Sequence, residues 1–282
     1  MQFRHLMVAL LCVSLWGLNL PLIKMIALEM PPLFSAALRL ILMGFGVFFI
    51  QKPREIRKLL LLGTTLFALT LGPTTVAIKH VDATVVAFLN ELEVPLAAIL
   101  GFFFLGESFG KIQIAGLLLA FFGVGLIVWS PEIAASELWA VALLLVSAFC
   151  YGFSAIYVKF LKNTNAISLT LWCSLFAACE LFLGSLFFEH AELSQMTVPP
   201  IKICFAIVGS SCTNLLAFFG WNYLLQLYKV NQVIPFAMLL PVFSLFFSYF
   251  LLGEMTEPLA LFGGGLTLVG VWIQSHGTKD QV

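Results

Sequence analysis

Apolar runs of about 20 residues, each long enough to cross the roughly 30 Å hydrocarbon core of a bilayer as a helix, follow one another along almost the whole chain. In lipid every backbone N–H and C=O must find its partner inside the protein, so only helices or closed barrels can cross. The runs are continuous and not alternating, which excludes a barrel. Of the 282 residues, 61% are hydrophobic and 10% are charged, where a soluble domain carries about 25% charged residues. The chain therefore reads as an all-α integral membrane protein without a sizeable soluble domain. Proline, glycine and charge divide it into ten expected transmembrane helices, at 6–27, 32–50, 59–78, 83–105, 112–129, 138–160, 168–188, 203–225, 231–252 and 258–275.

The start, Met1-Gln2-Phe3-Arg4-His5, enters the first run with no cleavage pattern, so that run is expected to remain as a helix. Basic residues in short loops concentrate on the cytoplasmic side. With a cytoplasmic N-terminus, ten basic residues fall inside (Arg4, Lys52, Arg54, Arg57, Lys58, Lys111, Lys159, Lys162, Lys229, Lys279) and only Lys79 and Lys202 outside. Both termini are expected in the cytoplasm. The formal net charge is zero and segregated by loop, and no nucleic-acid partner is expected. The six cysteines follow no disulfide or zinc spacing and read as small buried hydrophobes. No H-E-x-x-H, G-x-S-x-G or metal-ligand cluster occurs in the runs, so no catalytic residue, metal or bound cofactor is expected.

The chain repeats itself. LGESFGKIQIAGLLLAFFGVGLIV (105–128) and LGEMTEPLALFGGGLTLVGVWI (252–273) share a Leu-Gly-Glu start, and Gly116 and Gly123 recur as Gly263 and Gly270 at an offset of 147. Pro95 and Pro241 precede the two blocks. LWGLNLPLIK (15–24) is echoed by CYGFSAIYVK (150–159), with the same Gly-to-Lys spacing. Each half then holds five spans, and an odd number forces the second half to run upside down. Inverted repeats are a common plan of secondary transporters, whose substrate sites lie near the midplane between the repeats.

These residues carry a family resemblance. Trp16-Gly17-Leu18-Asn19 with Lys24, Met30-Pro31-Pro32-Leu33, Leu38-Arg39 and the doubled Leu-Gly-Glu blocks resemble the ten-helix EamA-type drug/metabolite transporters, over the whole chain. The resemblance implies two EamA repeats, 1–130 and 131–282, in a bacterial inner membrane. It is nearest to exporters of amino acids and related metabolites. Where that exporter type carries Gln-x-Gln on the fourth helix, this chain has Glu91-Leu92-Glu93. The implied partners are a small-molecule substrate, the lipid bilayer and a coupling proton, in a monomer or a homodimer. Import of a cationic or zwitterionic metabolite such as S-adenosylmethionine, and lipid flipping, are the alternative activities.

Counting about 1.5 Å per residue from each span's centre places Trp16, Asn19, Arg39, Glu91, Glu93, Tyr151, Ser154 and Asn214 near the midplane. Glu180 lies there too, and the polar run Ser210, Ser211, Thr213 and Asn214 favours a cavity wall. Charge at such depth costs about 2.5–3.5 kcal/mol and normally faces a bundle interior or a wet cavity. Arg39 is expected to pair with Glu91 or Glu93, as a structural tie or as part of a substrate site. Two residues apart on a helix point about 200° apart, so only one of the two acids is expected to face a cavity. Pro95 removes the N–H that the Glu91 carbonyl would accept, which predicts a kink and a free carbonyl there. Glu107 and Glu254 read as structural helix-end groups, and His80 and His190 as solvated surface.

Overall fold

The structure, a computed structural model, describes residues 2–50, 53, 55–106, 110–131, 133–158, 161, 166–228, 233 and 236–276. All regular elements among them are helical. They are α1 (Phe3–Glu29), α2 (Pro32–Gly44), α3 (Ile56–Gly63), α4 (Leu69–Ala77), α5 (Ala83–Asn90), α6 (Glu93–Leu105) and α7 (Lys111–Val128). The chain continues with α8 (Leu138–Tyr157), α9 (Ala166–Phe188), the short α10 (His190–Gln195), α11 (Ile201–Leu227), α12 (Leu240–Leu252) and α13 (Pro258–His276). Seven helical stretches among the described residues are long and apolar enough to cross a bilayer, and Pro32–Phe48, Leu240–Leu252 and Pro258–Gln274 are shorter apolar helices. Each falls on one of the expected runs. Residues 231, 232, 234 and 235, in the ninth expected run, lie outside the described residues.

Prolines and glycines set the helix ends. The α2 start has Pro31 and Pro32, which bring no amide to satisfy, and its next amides, Leu33 and Phe34, donate to the Glu189 carboxylate at 2.7 and 3.0 Å. Ser185 steadies that carboxylate through its hydroxyl at 2.6 Å. Gly106 and Gly253, 147 residues apart, terminate α6 and α12 with φ of 68° and 70°. That left-handed backbone is where glycine carries no Cβ penalty.

The fourth expected span is broken. Residues 91–92 form a turn between α5 and α6, four residues before Pro95. Leu92 N–H donates to Leu89 O at 3.1 Å and Leu96 N–H to Leu92 O at 3.0 Å. The expected free carbonyl is not there, because Glu91 O accepts from Val94 N–H at 3.3 Å in the tightened turn. The same pattern recurs 147 residues on, with Leu239 N–H to Phe236 O at 3.0 Å and Phe243 N–H to Leu239 O at 3.1 Å, beside Pro241. A π-helical turn, Thr64–Ala68, joins α3 to α4 ahead of Pro73. Threonine hydroxyls serve carbonyls through this stretch, among them Thr70 to Thr65 O at 2.8 Å.

Packing relies on close backbone contact. A Cβ on Gly116 would lie 2.6 Å from Gly270 O, and one on Gly263 would lie 2.6 Å from Gly123 O. The pairing 116 with 270 and 123 with 263 makes α7 and α13 antiparallel. Without a hydrophobic drive between helices in lipid, such small-residue contacts maximise van der Waals packing. Gly17 of α1 sits on Phe243 and Ser244 of α12, and Gly152 of α8 sits on Ala97 of α6, where an added Cβ would lie 2.9 Å from the Ala97 amide nitrogen. Large apolar side chains such as Phe103, Phe122, Phe187, Phe188 and Phe205 cover the outside, as a lipid-facing surface requires. Cysteines divide accordingly: Cys12 and Cys173 are buried, whereas Cys179, Cys204 and Cys212 are exposed, contrary to expectation. A lipid-facing position tolerates a small apolar side chain without burying it in protein.

Candidate functional site

A cavity of about 160 Å³ lies among α1, the π-helical turn and α4, the α5–α6 break, α8, α11 and the start of α12. A second, of about 320 Å³, adjoins it and shares Trp16, Leu66, Phe67, Tyr151 and Phe218. Val158, Leu169 and Trp221 carry this second cavity toward the end of the bundle where α8 finishes and α9 begins.

Six of the nine residues expected at the midplane line the first cavity: Trp16, Asn19, Glu91, Glu93, Tyr151 and Asn214. Ser154 lines the second, fully buried, with its hydroxyl donated to Thr65 Oγ1 at 2.9 Å. Both glutamates reach the same cavity, which the continuous-helix argument did not allow. The turn at 91–92 ends α5 and restarts the chain as α6, so the 200° divergence expected of one unbroken helix does not hold. Leu92, between them, is fully buried in the protein instead.

Arg39 lines neither cavity. The expected pairing with a glutamate does not form among the described residues. The guanidinium donates to Ser210 Oγ at 3.2 Å and to Thr75 Oγ1 at 3.0 Å, and Ser210 Oγ donates onward to Asn19 Oδ1 at 2.5 Å. The reason is the neighbourhood of α2, which packs chiefly on α9 and α11, with α1 and α4 beside it. Of the polar run on α11, Ser210 and Ser211 turn to Arg39, and only Asn214 reaches the first cavity.

Four polar residues of the cavity wall escaped the list of candidates: Thr70, Thr74, Asn90 and Ser147. Thr74 and Ser147 hydroxyls are 2.8 Å apart, and Ser147 donates to Thr70 O at 2.9 Å, tying α4 to α8. The signal was present as five threonines within 64–75 (Thr64, Thr65, Thr70, Thr74, Thr75), the same polarity that drew attention to 210–214. Aromatic rings form another part of the wall, where Trp16 packs edge-on against Phe218 with centroids 5.4 Å apart and lies 5.3 Å from Trp221. The side chains of Asn90, Glu91, Glu93, Tyr151 and Asn214 have no hydrogen bond or ion pair with a described residue. They are the groups free to meet a bound molecule.

At one end of the bundle Lys24 joins three partners: the Val81 carbonyl at 2.9 Å, Asp82 at 3.5 Å and the Glu254 carboxylate. Glu254 also accepts the Ala83 amide at 3.0 Å, capping α5. Burial holds the Glu254 carboxyl above the usual carboxylate range, against the pull of Lys24. Glu107 lies outside the described residues. Glu180, away from the cavities, sits 2.7 Å from Thr64 Oγ1. His80 and His190 are exposed, with His80 edge-on to Trp139. Among the described residues there is no group of three His, Cys, Asp or Glu able to hold a metal ion.

The EamA-like transporter family model matches residues 4–129 and again residues 138–275. The chain belongs to the EamA-like transporter family. It is therefore a multi-pass membrane protein of a transporter family. This EamA-like chain is 30% identical over 285 residues to a "Probable amino-acid metabolite efflux pump" of Salmonella typhimurium, covering 96% of this chain and 94% of that one. It is 28% identical over 283 residues to the protein of the same description in Escherichia coli, with the same coverage. It is 27% identical to an uncharacterized transporter of Bacillus subtilis, over 91% of this chain and 86% of that one. A crystal structure shares the fold with a TM-score of 0.66 at 15% identity, over 98% of each chain.

Proposed function

We propose that the chain is a secondary transporter that exports a small polar metabolite, an amino acid or a derivative of one, across the inner membrane by alternating access. The observation that carries this reading is the cavity. It sits at the α5–α6 break, both halves of the chain contribute to it, and five of its polar side chains have no protein partner. Trp16, Asn19, Glu91 and Glu93 come from one half, and Ser147, Tyr151 and Asn214 from the other.

The two halves, 1–130 and 131–282, are taken as inverted five-helix repeats that make ten crossings. In support, α7 and α13 run antiparallel through equivalent glycines, and the proline-associated turn recurs at the same offset of 147. Contacts between α1 and α12 at Gly17 are matched by those between α8 and α6 at Gly152. Loop charge supports cytoplasmic termini. The Lys24–Asp82–Glu254 cluster then closes the outer end, while the second cavity extends toward the cytoplasmic end. The names of the relatives support export of amino-acid metabolites. The partners are the cargo, the bilayer and a coupling proton, with no nucleic acid and no bound cofactor.

The test is cytoplasmic accumulation of a panel of amino acids and derivatives in cells with and without the gene. Lower accumulation of particular members in gene-bearing cells is expected. No substrate-dependent difference anywhere in the panel would overturn export.

A further inference from the structure

We infer that the cavity selects its cargo by charge, taking an amine with an apolar body whose carboxylate is missing or masked in preference to a free amino acid. This rests on the reading of the cavity as the transport site and narrows its substrate class.

The charge of the wall is one-sided. Glu91 and Glu93 both line the cavity, and no lysine, arginine or histidine among the described residues does. Glu91 is only 7% exposed and has no protein partner, so a carboxyl group is held out of water and directed at the space a cargo would fill. Arg39, the cation expected to balance it, is committed to Thr75 and Ser210. When ionised, the acid pair offers oxygen acceptors and negative charge, and no described residue of the wall offers positive charge in return.

A cationic amine supplies what those carboxylates lack, by charge-assisted hydrogen bonds that are shorter and stronger than neutral ones. Ring faces of Trp16 and Phe218 beside them also attract a cation and accept an apolar body. A free amino acid brings its own carboxylate into the same space. Asn90 and Asn214 can each donate an amide hydrogen to it. They bring no charge, and juxtaposing like charges away from water costs several kcal/mol. The Glu pair thus rejects the carboxylate as well as attracting the amine.

The experiment uses the purified full-length protein and four probes with one ring in common: phenylalanine amide, phenethylamine, phenylalanine and 3-phenylpropionate. Binding is read as a ligand-dependent rise in melting temperature, and transport as counterflow in proteoliposomes. The two amines are expected to bind at least roughly tenfold more tightly than phenylalanine, and the anion not at all. The Glu91→Gln/Glu93→Gln double variant, checked for an unchanged ligand-free melting temperature and single-substituted if that falls, is expected to lose the preference. Phenylalanine binding as tightly as its amide, the absence of binding by either amine, or a preference retained in the variants would each overturn the inference. Transport of all members with phenylalanine best defeats charge selection while sustaining the transporter reading. Charge-ordered binding with no counterflow defeats the transporter reading and sustains the selection.

Discussion

Arg39 shows how one side chain's neighbours decide its role. It is 5% exposed, and its Nη atoms are held by hydroxyls on two different helices, with Nε left without a partner. Its fork geometry is what allows it to reach Thr75 and Ser210 at once, and lysine offers only a point charge. Arg39→Lys is therefore expected to lower stability by about 1–3 kcal/mol, seen as a lower melting temperature. Cargo affinity per folded molecule should change by no more than about twofold, since losing one indirect contact is worth only tenths of a kcal/mol. A cargo affinity that drops more than the stability would instead place Arg39 in the site. Asn214 is the contrasting case, lining the cavity without a partner. Asn214→Ala should weaken binding by about 1 kcal/mol, roughly fivefold, with melting temperature little altered. Ligand titration of the purified variant checks both.

At the scale of the element, the break between α5 and α6 is what brings the two acids to one cavity. Pro95 removes a donor and crowds the preceding turn, and a proline inside a helix costs about 3 kcal/mol. Pro95→Ala is expected to leave stability equal or higher, because the lost donor returns. Transport should nonetheless fall, because a continuous helix swings Glu91 and Glu93 apart by about 200°. A variant that is both intact and fully active would show that the break is only a packing accommodation. The α7–α13 contact gives a second test. At Gly123 an added Cβ would meet Gly263 O at 2.5 Å and Thr267 Oγ1 at 2.5 Å, and the backbone atom cannot swing aside as a long side chain can. Gly123→Val is expected to cost about 1–3 kcal/mol by overpacking, whereas Gly125→Val, with nothing within 4 Å, should cost far less. Paired thermal melts in detergent measure the difference.

For the molecule as a whole, the question is what ties the two halves together at one end. Lys24, from α1, links to Asp82 and Glu254, so three separated stretches of chain meet at one point. The Lys24 and Glu254 side chains are 12% and 10% exposed, which shields the pair from the screening that weakens surface ion pairs. If this end must open during transport, weakening the cluster should favour the open form. Ile23 lines the cavity just inside and is 2% exposed. An Ile23→Cys reporter should react slowly with a membrane-impermeant thiol reagent applied from the Lys24 side. Adding Glu254→Gln should speed that reaction about fivefold, as about 1 kcal/mol lost from the closed form implies. An unchanged rate would mean that the cluster only caps α5.

Hydropathy and periodicity are local properties, and what depends on them was readable from the residues alone. The apolar runs and the expected depth of Trp16, Asn19, Glu91, Glu93, Tyr151 and Asn214 belong there, while the EamA resemblance and the repeated glycines were legible as motifs. The rotation of each helix about its axis is not local, because it is set by which helices pack together. Arg39 and Glu91 were expected at one depth, yet α2 packs chiefly on α9 and α11, and among the described residues the two do not pair. The threonines of 64–75 were passed over in the sequence, and it is the packing of α4 on α8 that makes Thr70, Thr74 and Ser147 one wall. Which residues line a common cavity could thus be anticipated from counting along the runs. Facing was decided only by the tertiary structure, since a single turn beside Pro95 was enough to turn two opposed acids toward one cavity.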